Sequence, residues 1–194
     1  MRMLYLTSCK FTAKYPGISK RISKYMADRH GAKITGCCKN NLASLAEDDV
    51  VVYICNTCAA LCMEGSRAGK VISVWEIIAA DQDFAYQSDP GSRITVRDCW
   101  RTYDNRGLQD AVRILMQKMK LQVVETGDNY GDTRHCGVSL YRALPERYDV
   151  LAPKRFVLGA EGLFVPRPEK EQEMLMRAHC DRIGTAKVLC YCVA

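Results

Sequence analysis

Five cysteines lie in an order that suits the binding of a metal or cluster: Cys9, the adjacent pair Cys37-Cys38, and Cys55 and Cys58 of a Cys55-Asn56-Thr57-Cys58 turn. Each group follows a short apolar run. Met3-Leu4-Tyr5-Leu6 leads to Cys9, Lys33-Ile34-Thr35 to Cys37, and the run from Val50 to Ile54 to Cys55. If these runs are parallel strands of one sheet, the five sulfurs gather at one sheet edge, where open α/β sheets bind ligands. Thiolates converging in a reducing environment suit an iron–sulfur cluster or zinc. A lone Cys-x-x-Cys would fit equally well a dithiol that cycles through a disulfide. Zinc takes four ligands, fewer than this set offers.

The elements that must position these residues alternate. A strand at 3–8 is followed by a helix that opens at Pro16-Gly17, carries Ile18, Ile22, Tyr25 and Met26 on one face, and stops at Gly31. A strand at 32–35, a short helix after Asn40-Asn41, a strand at 50–54 that is apolar on both faces, a helix starting near Cys58 and a strand at 71–74 complete a βαβαβαβ pattern. After a polar stretch at 81–93 the pattern starts again. A strand at 93–97 runs to Cys99. Leu108, Ala111, Val112, Leu115 and Met119 form a helical stripe, followed by a strand at 121–125. A helix at 166–182 has glutamates toward its start, as the helix dipole favours. A strand at 186–189 then leads into Cys190-Tyr191-Cys192. The chain therefore reads as an α/β protein of two related Rossmann-like halves with mainly parallel sheets, 1–88 and 89–194, in which the cysteines are what repeats.

This duplicated order of Cys, Cys-Cys and Cys-x-x-Cys resembles the CCG cysteine-rich domain family, over nearly the whole chain. The family includes the cysteine-rich component of heterodisulfide reductase and iron–sulfur components of lactate and glycolate oxidases. The resemblance implies a non-cubane [4Fe–4S] cluster on Cys9, Cys37, Cys38, Cys55 and Cys58, electron transfer, and reduction of a disulfide substrate. It also implies a separate redox partner, a flavoprotein or a ferredoxin-like protein. Lys39 departs from the family pattern, standing where the first motif has glycine, and the interval from Cys38 to Cys55 is short. In the second half Cys99, Cys136 and Cys192 match. His135 replaces the first cysteine of the pair, and Cys190 lies nearby. The last cysteine of a second Cys-x-x-Cys would fall just past Ala194. One cluster is expected in the first half, and a second, histidine-modified metal site on Cys99, His135, Cys136 and Cys192 is its incomplete counterpart. A non-catalytic module carrying zinc or a cluster is the alternative.

Composition narrows the classes. Eleven of 194 residues are cysteine, an odd number that does not suit a closed disulfide framework. Neither a secretory leader pattern nor an apolar run long enough to span a membrane is visible, so a cytoplasmic protein is expected. The net charge of +6 comes from scattered cations without an aromatic platform, which argues against nucleic-acid binding. No G-x-G-x-x-G or Walker sequence supports nucleotide binding. Arg97, Arg101 and Arg134 flank the second cysteine set. A solvated face is expected of them, with anion binding as the alternative. Cys62 and Cys180 are expected to pack in cores, as are Met116, Met119, Met174 and Met176.

Overall fold

The computed structural model describes residues 2–193. Along the chain run β1 (Met3–Leu6), α1 (Cys9–Lys14), α2 (Pro16–His30), β2 (Lys33–Thr35), α3 (Cys38–Asn41), β3 (Val50–Tyr53), α4 (Asn56–Gly65), β4 (Lys70–Ser73) and α5 (Val74–Ala80). Then come β5 (Arg93–Arg97), α6 (Arg106–Lys118), β6 (Gln122–Val124), α7 (Tyr148–Leu151), α8 (Glu169–Cys180) and β7 (Val188–Cys190). No helix among the described residues is long and apolar enough to cross a membrane.

Two compact units form. Among the described residues the first comprises 2–74, 146–159 and 193, and the second 75–145 and 160–192. This division differs from a cut at residue 88 in two ways. Most of α5 belongs to the second unit, and the segment 146–159 returns to the first. In that segment α7 packs against α4: a Cβ on Gly65 would lie 2.9 Å from the Leu151 carbonyl oxygen. Glu64 also accepts hydrogen bonds from the backbone N–H groups of Lys154 and Arg155 at 2.6 and 2.9 Å.

The first unit holds a four-stranded parallel sheet in the order β2-β1-β3-β4. Tyr5, Leu6, Val51, Val52, Tyr53 and Ile54 are buried, as strands covered on both faces require. Leu61 of α4 and Met26 of α2 join this core. Gly31 ends α2 in the left-handed conformation at φ 61°, the stop its sequence predicts. Gly69 allows the turn into β4 to pass against the chain at Glu47, where a Cβ would sit 1.9 Å from the carbonyl oxygen.

The second unit holds a three-stranded parallel sheet in the order β6-β5-β7. The strand order 2-1-3 of the first sheet is thereby repeated, with β5, β6 and β7 in the places of β1, β2 and β3. Helix α6 is capped by the Asn105 side chain, which accepts from the Leu108 N–H at 3.0 Å, and it buries Leu108, Ala111, Val112, Leu115 and Met116. Met174 and Met176, expected in a core, are exposed on α8, and so is Cys180. Residues two apart point to different sides of a helix, so these two methionines cannot form one buried stripe.

Candidate functional site

In the first unit every cysteine of the motif lies just beyond the C-terminal end of a strand. Cys9 begins α1 after β1, Cys37 and Cys38 lie at the start of α3 after β2, and Cys55 precedes α4 after β3, with Cys58 in its first turn. In a parallel sheet these ends share one edge, and the helix N-termini that follow favour negative charge there. Cys38, Cys55 and Cys58 are buried, Cys37 is half-buried and Cys9 is exposed.

Three of the sulfurs converge. The Cys58 thiol lies within hydrogen-bonding reach of both Cys38 and Cys55 and can give its one S–H to either, which lowers the pKa of each and raises its own. Cys55 falls to about 6, first through Cys58, against the opposing effect of burial. The N–H groups of Cys58 and Thr57 and the Ser8 hydroxyl also favour its charge. These backbone contacts are looser than a capping hydrogen bond, so they act as dipoles at a helix N-terminus. Cys38 is lowered by Cys58, with help from the Lys39 N–H and Cys37, which outweigh burial and the Cys55 charge.

Ser8 is a residue that pattern reading missed. It is buried, adopts φ 60°, and its side chain accepts from the Phe11 N–H at 3.4 Å while its hydroxyl faces the Cys55 sulfur. A serine in the left-handed region is strained, and the strain aims its hydroxyl at the sulfur set. Ser8→Ala removes both hydrogen bonds and keeps the strain, whereas Ser8→Gly removes the bonds and relieves it. Urea unfolding is expected to show Ser8→Ala destabilised by about 1–2 kcal/mol and Ser8→Gly by clearly less. Equal losses would mean that the backbone strain is negligible.

The fit to a metal group differs between the units. Among the described residues no set of three or more His, Cys, Asp or Glu side chains is arranged to chelate one metal ion. A cluster poses a different demand, since its irons are separate and each takes its own thiolate. The chemistry of the first unit suits that demand: Cys38 and Cys55 biased toward thiolate, helix N-termini at the sheet edge, and, in the first turn of α4 with Cys58, a buried amide donor, Asn56 Nδ2, that has no hydrogen-bond partner.

The second unit is built differently. Cys99, Cys136 and Cys192 surround Arg101, which is buried rather than solvated. Its Nη1 donates to Cys136 Sγ at 3.5 Å and Cys192 Sγ at 4.0 Å, and its guanidinium lies 4.8 Å from the Trp100 ring centroid. Burial opposes its charge, but Cys99, Cys192 and Cys136 more than offset that and hold its pKa above the ordinary value. Arg97 is also buried, paired with Asp128 at 2.8 Å through Nη2. The Arg101 guanidinium thus takes the position between the Cys136 and Cys192 sulfurs.

His135 is stacked on His179, the ring centroids 3.5 Å apart and the planes 10° from parallel. Burial, then Arg97, lowers the pKa of His135. Burial, then His135 and Arg97, brings His179 down to about 4. Both shifts favour the neutral imidazoles, since charging either ring costs burial and charging both adds repulsion across the stack. The unfolded chain binds protons more readily than the folded one between pH 6.5 and 4, and stability falls as pH drops through that window. His179→Phe keeps the stack and removes the proton site. Urea midpoints between pH 7 and 4 are expected to fall less steeply for His179→Phe than for the parent. An unchanged slope would place the acid sensitivity elsewhere.

No family model matches this chain, and no curated protein or solved structure matches it either.

Proposed function

We propose that the first unit carries one iron–sulfur cluster of the [4Fe–4S] type on Cys9, Cys37, Cys38, Cys55 and Cys58, and that the chain is an electron-transferring component of an oxidoreductase, resembling the cysteine-rich component of heterodisulfide reductase. The observation that carries the reading is the convergence of Cys38, Cys55 and Cys58, with two sulfurs biased toward thiolate by Cys58, by backbone N–H groups and by Ser8. When bound, a cluster supplies one-electron chemistry and a Lewis-acidic iron. The chain's own part is to hold the thiolates ionised, orient them at the sheet edge, and direct N–H and O–H dipoles at sulfur, which raises the reduction potential. Electrons come from a redox partner of flavoprotein or ferredoxin-like chemistry. A disulfide is the substrate class that the motif resemblance suggests. The location is taken to be the cytoplasm, where thiols stay reduced.

Iron and acid-labile sulfide measured after anaerobic reconstitution test this reading. About four of each per chain are expected, with a broad visible absorption that bleaches on reduction. Stoichiometric zinc in a colourless protein would replace the reading with a structural metal module, and free thiols without metal would replace it with a dithiol protein.

A further inference from the structure

The sulfurs of the second unit already have a counter-ion. Arg101 is fully ionised at any physiological pH, is only 5% exposed, and places one nitrogen within reach of two sulfurs. The guanidinium is therefore a fixed positive charge shared between the Cys136 and Cys192 sulfurs, at 3.5 and 4.0 Å. Cys136 and Cys192 are half-buried, open enough for a small molecule to reach, whereas Cys99 is buried. Both reachable sulfurs are thiols outside any disulfide and come from different elements, the loop after β6 and the end of β7. A partly accessible cysteine beside a fixed cation, sharing that cation with a second cysteine, has what an oxidation-responsive pair needs: a nucleophile and a resolving thiol.

We infer that Cys136 and Cys192, held together by Arg101, form a peroxide-reactive dithiol in the second unit where a second cluster would otherwise be expected. Cys136, the sulfur nearer to Nη1, attacks one oxygen of hydrogen peroxide. A sulfur–oxygen bond forms, the oxygen–oxygen bond breaks, and the departing hydroxide takes a proton and leaves as water. The Cys192 thiolate then attacks the sulfur of the Cys136 sulfenic acid. A sulfur–sulfur bond forms, the sulfur–oxygen bond breaks, and a second water leaves. In sum, two thiols lose two electrons and two protons, and one peroxide becomes two waters. Arg101 stabilises the attacking thiolate and is released from the sulfurs once the disulfide forms. It acts as a positioning and electrostatic residue. The inference is independent of the cluster assigned to the first unit.

The test uses the full chain, reduced, metal-free and desalted, treated with a few equivalents of hydrogen peroxide and mapped by peptide mass spectrometry. A Cys136–Cys192 disulfide is expected to form before the exposed Cys9 and Cys180 are oxidised. In Cys192→Ser a sulfenic acid on Cys136 is expected to accumulate and to be trapped by a dicarbonyl probe. Arg101→Gln is expected to slow the reaction about tenfold or more, and Arg101→Lys, which keeps the charge, to slow it less. Circular dichroism establishes that the arginine variants are folded. The Cys192→Ser trap decides the matter if they are not. Cys136 and Cys192 remaining reduced while Cys9 and Cys180 oxidise would overturn the inference. So would a folded Arg101→Gln protein that reacts at the parental rate. A reconstituted chain holding about eight irons, four of them lost in Cys136→Ser, would also overturn it, leaving the first-unit cluster intact.

Discussion

Cys55→Ser and Cys58→Ser should each lower bound iron from about four atoms per reconstituted chain to less than one. Cys58 sits between Cys38 and Cys55, and both draw their low pKa first from it. Serine at 58 is isosteric in outline but is a poor ligand for iron, and it leaves two sulfurs with weaker reason to ionise. Serine at 55 removes the sulfur on which Cys58, the Thr57 and Cys58 N–H groups and the Ser8 hydroxyl converge. The informative control is Cys62→Ala. Cys62 lies one turn further along α4, is buried, and has its thiol pushed up to about 12 by burial and then by the Cys38 charge. It is a packed neutral thiol, so Cys62→Ala should keep its iron. The variants are compared after the same anaerobic reconstitution, with circular dichroism to show that they fold. Iron retained in Cys58→Ser, or lost in a folded Cys62→Ala, would rule out the five-cysteine ligand set.

The strands and the cysteine order were legible because both depend on local pattern. Val50 to Ile54 is apolar at every position, which only a strand covered on both faces tolerates, and β3 lies there. The placing of cysteines just past strand ends follows once the strands are parallel, as they are in both sheets. The remaining features depend on contacts distant in sequence. Arg101 reads as one more surface cation, since nothing in Trp100-Arg101-Thr102 records that Cys136 and Cys192 will close around it. The stack of His135 and His179 joins residues 44 positions apart, and α8 shows no sign of it. Ser8 could have been found only from its backbone: a serine before a cysteine is ordinary, and its φ of 60° is what gives it a role. The return of residues 146–159 to the first unit was hidden for the same reason, because a short helix and a loop carry no mark of the sheet they pack beside.

Asp98→Ala is expected to cost the second unit about 3–5 kcal/mol, enough to unfold it at moderate temperature. The carboxylate is fully buried and accepts four hydrogen bonds: from Arg113 Nη1 at 2.7 Å and Nη2 at 3.0 Å, from the Tyr130 N–H at 2.8 Å and from the Tyr191 hydroxyl at 2.8 Å. Arg113 reaches onward to Glu125 at 2.7 Å, and Glu125 to the Asn129 side chain. Asp98 thus ties the end of β5 to α6, to the loop after β6, and to Tyr191 between Cys190 and Cys192. Alanine leaves Arg113, itself only 7% exposed, with the partly exposed Glu125 in place of two carboxylates, removes its buried partner, and leaves the tyrosine hydroxyl with fewer partners. The double variant Asp98→Leu with Arg113→Met removes both buried charges, so the cost of a buried cation that has lost its buried partner disappears and the double variant should be more stable than Asp98→Ala alone. Hydrogen exchange read by peptide locates the effect. Protection should be lost in β5, α6 and β7 and retained in β1 and β3, whose sheet contains none of these residues. Unchanged protection in β7 would mean that Tyr191, and the cysteines on either side of it, are held by something other than Asp98.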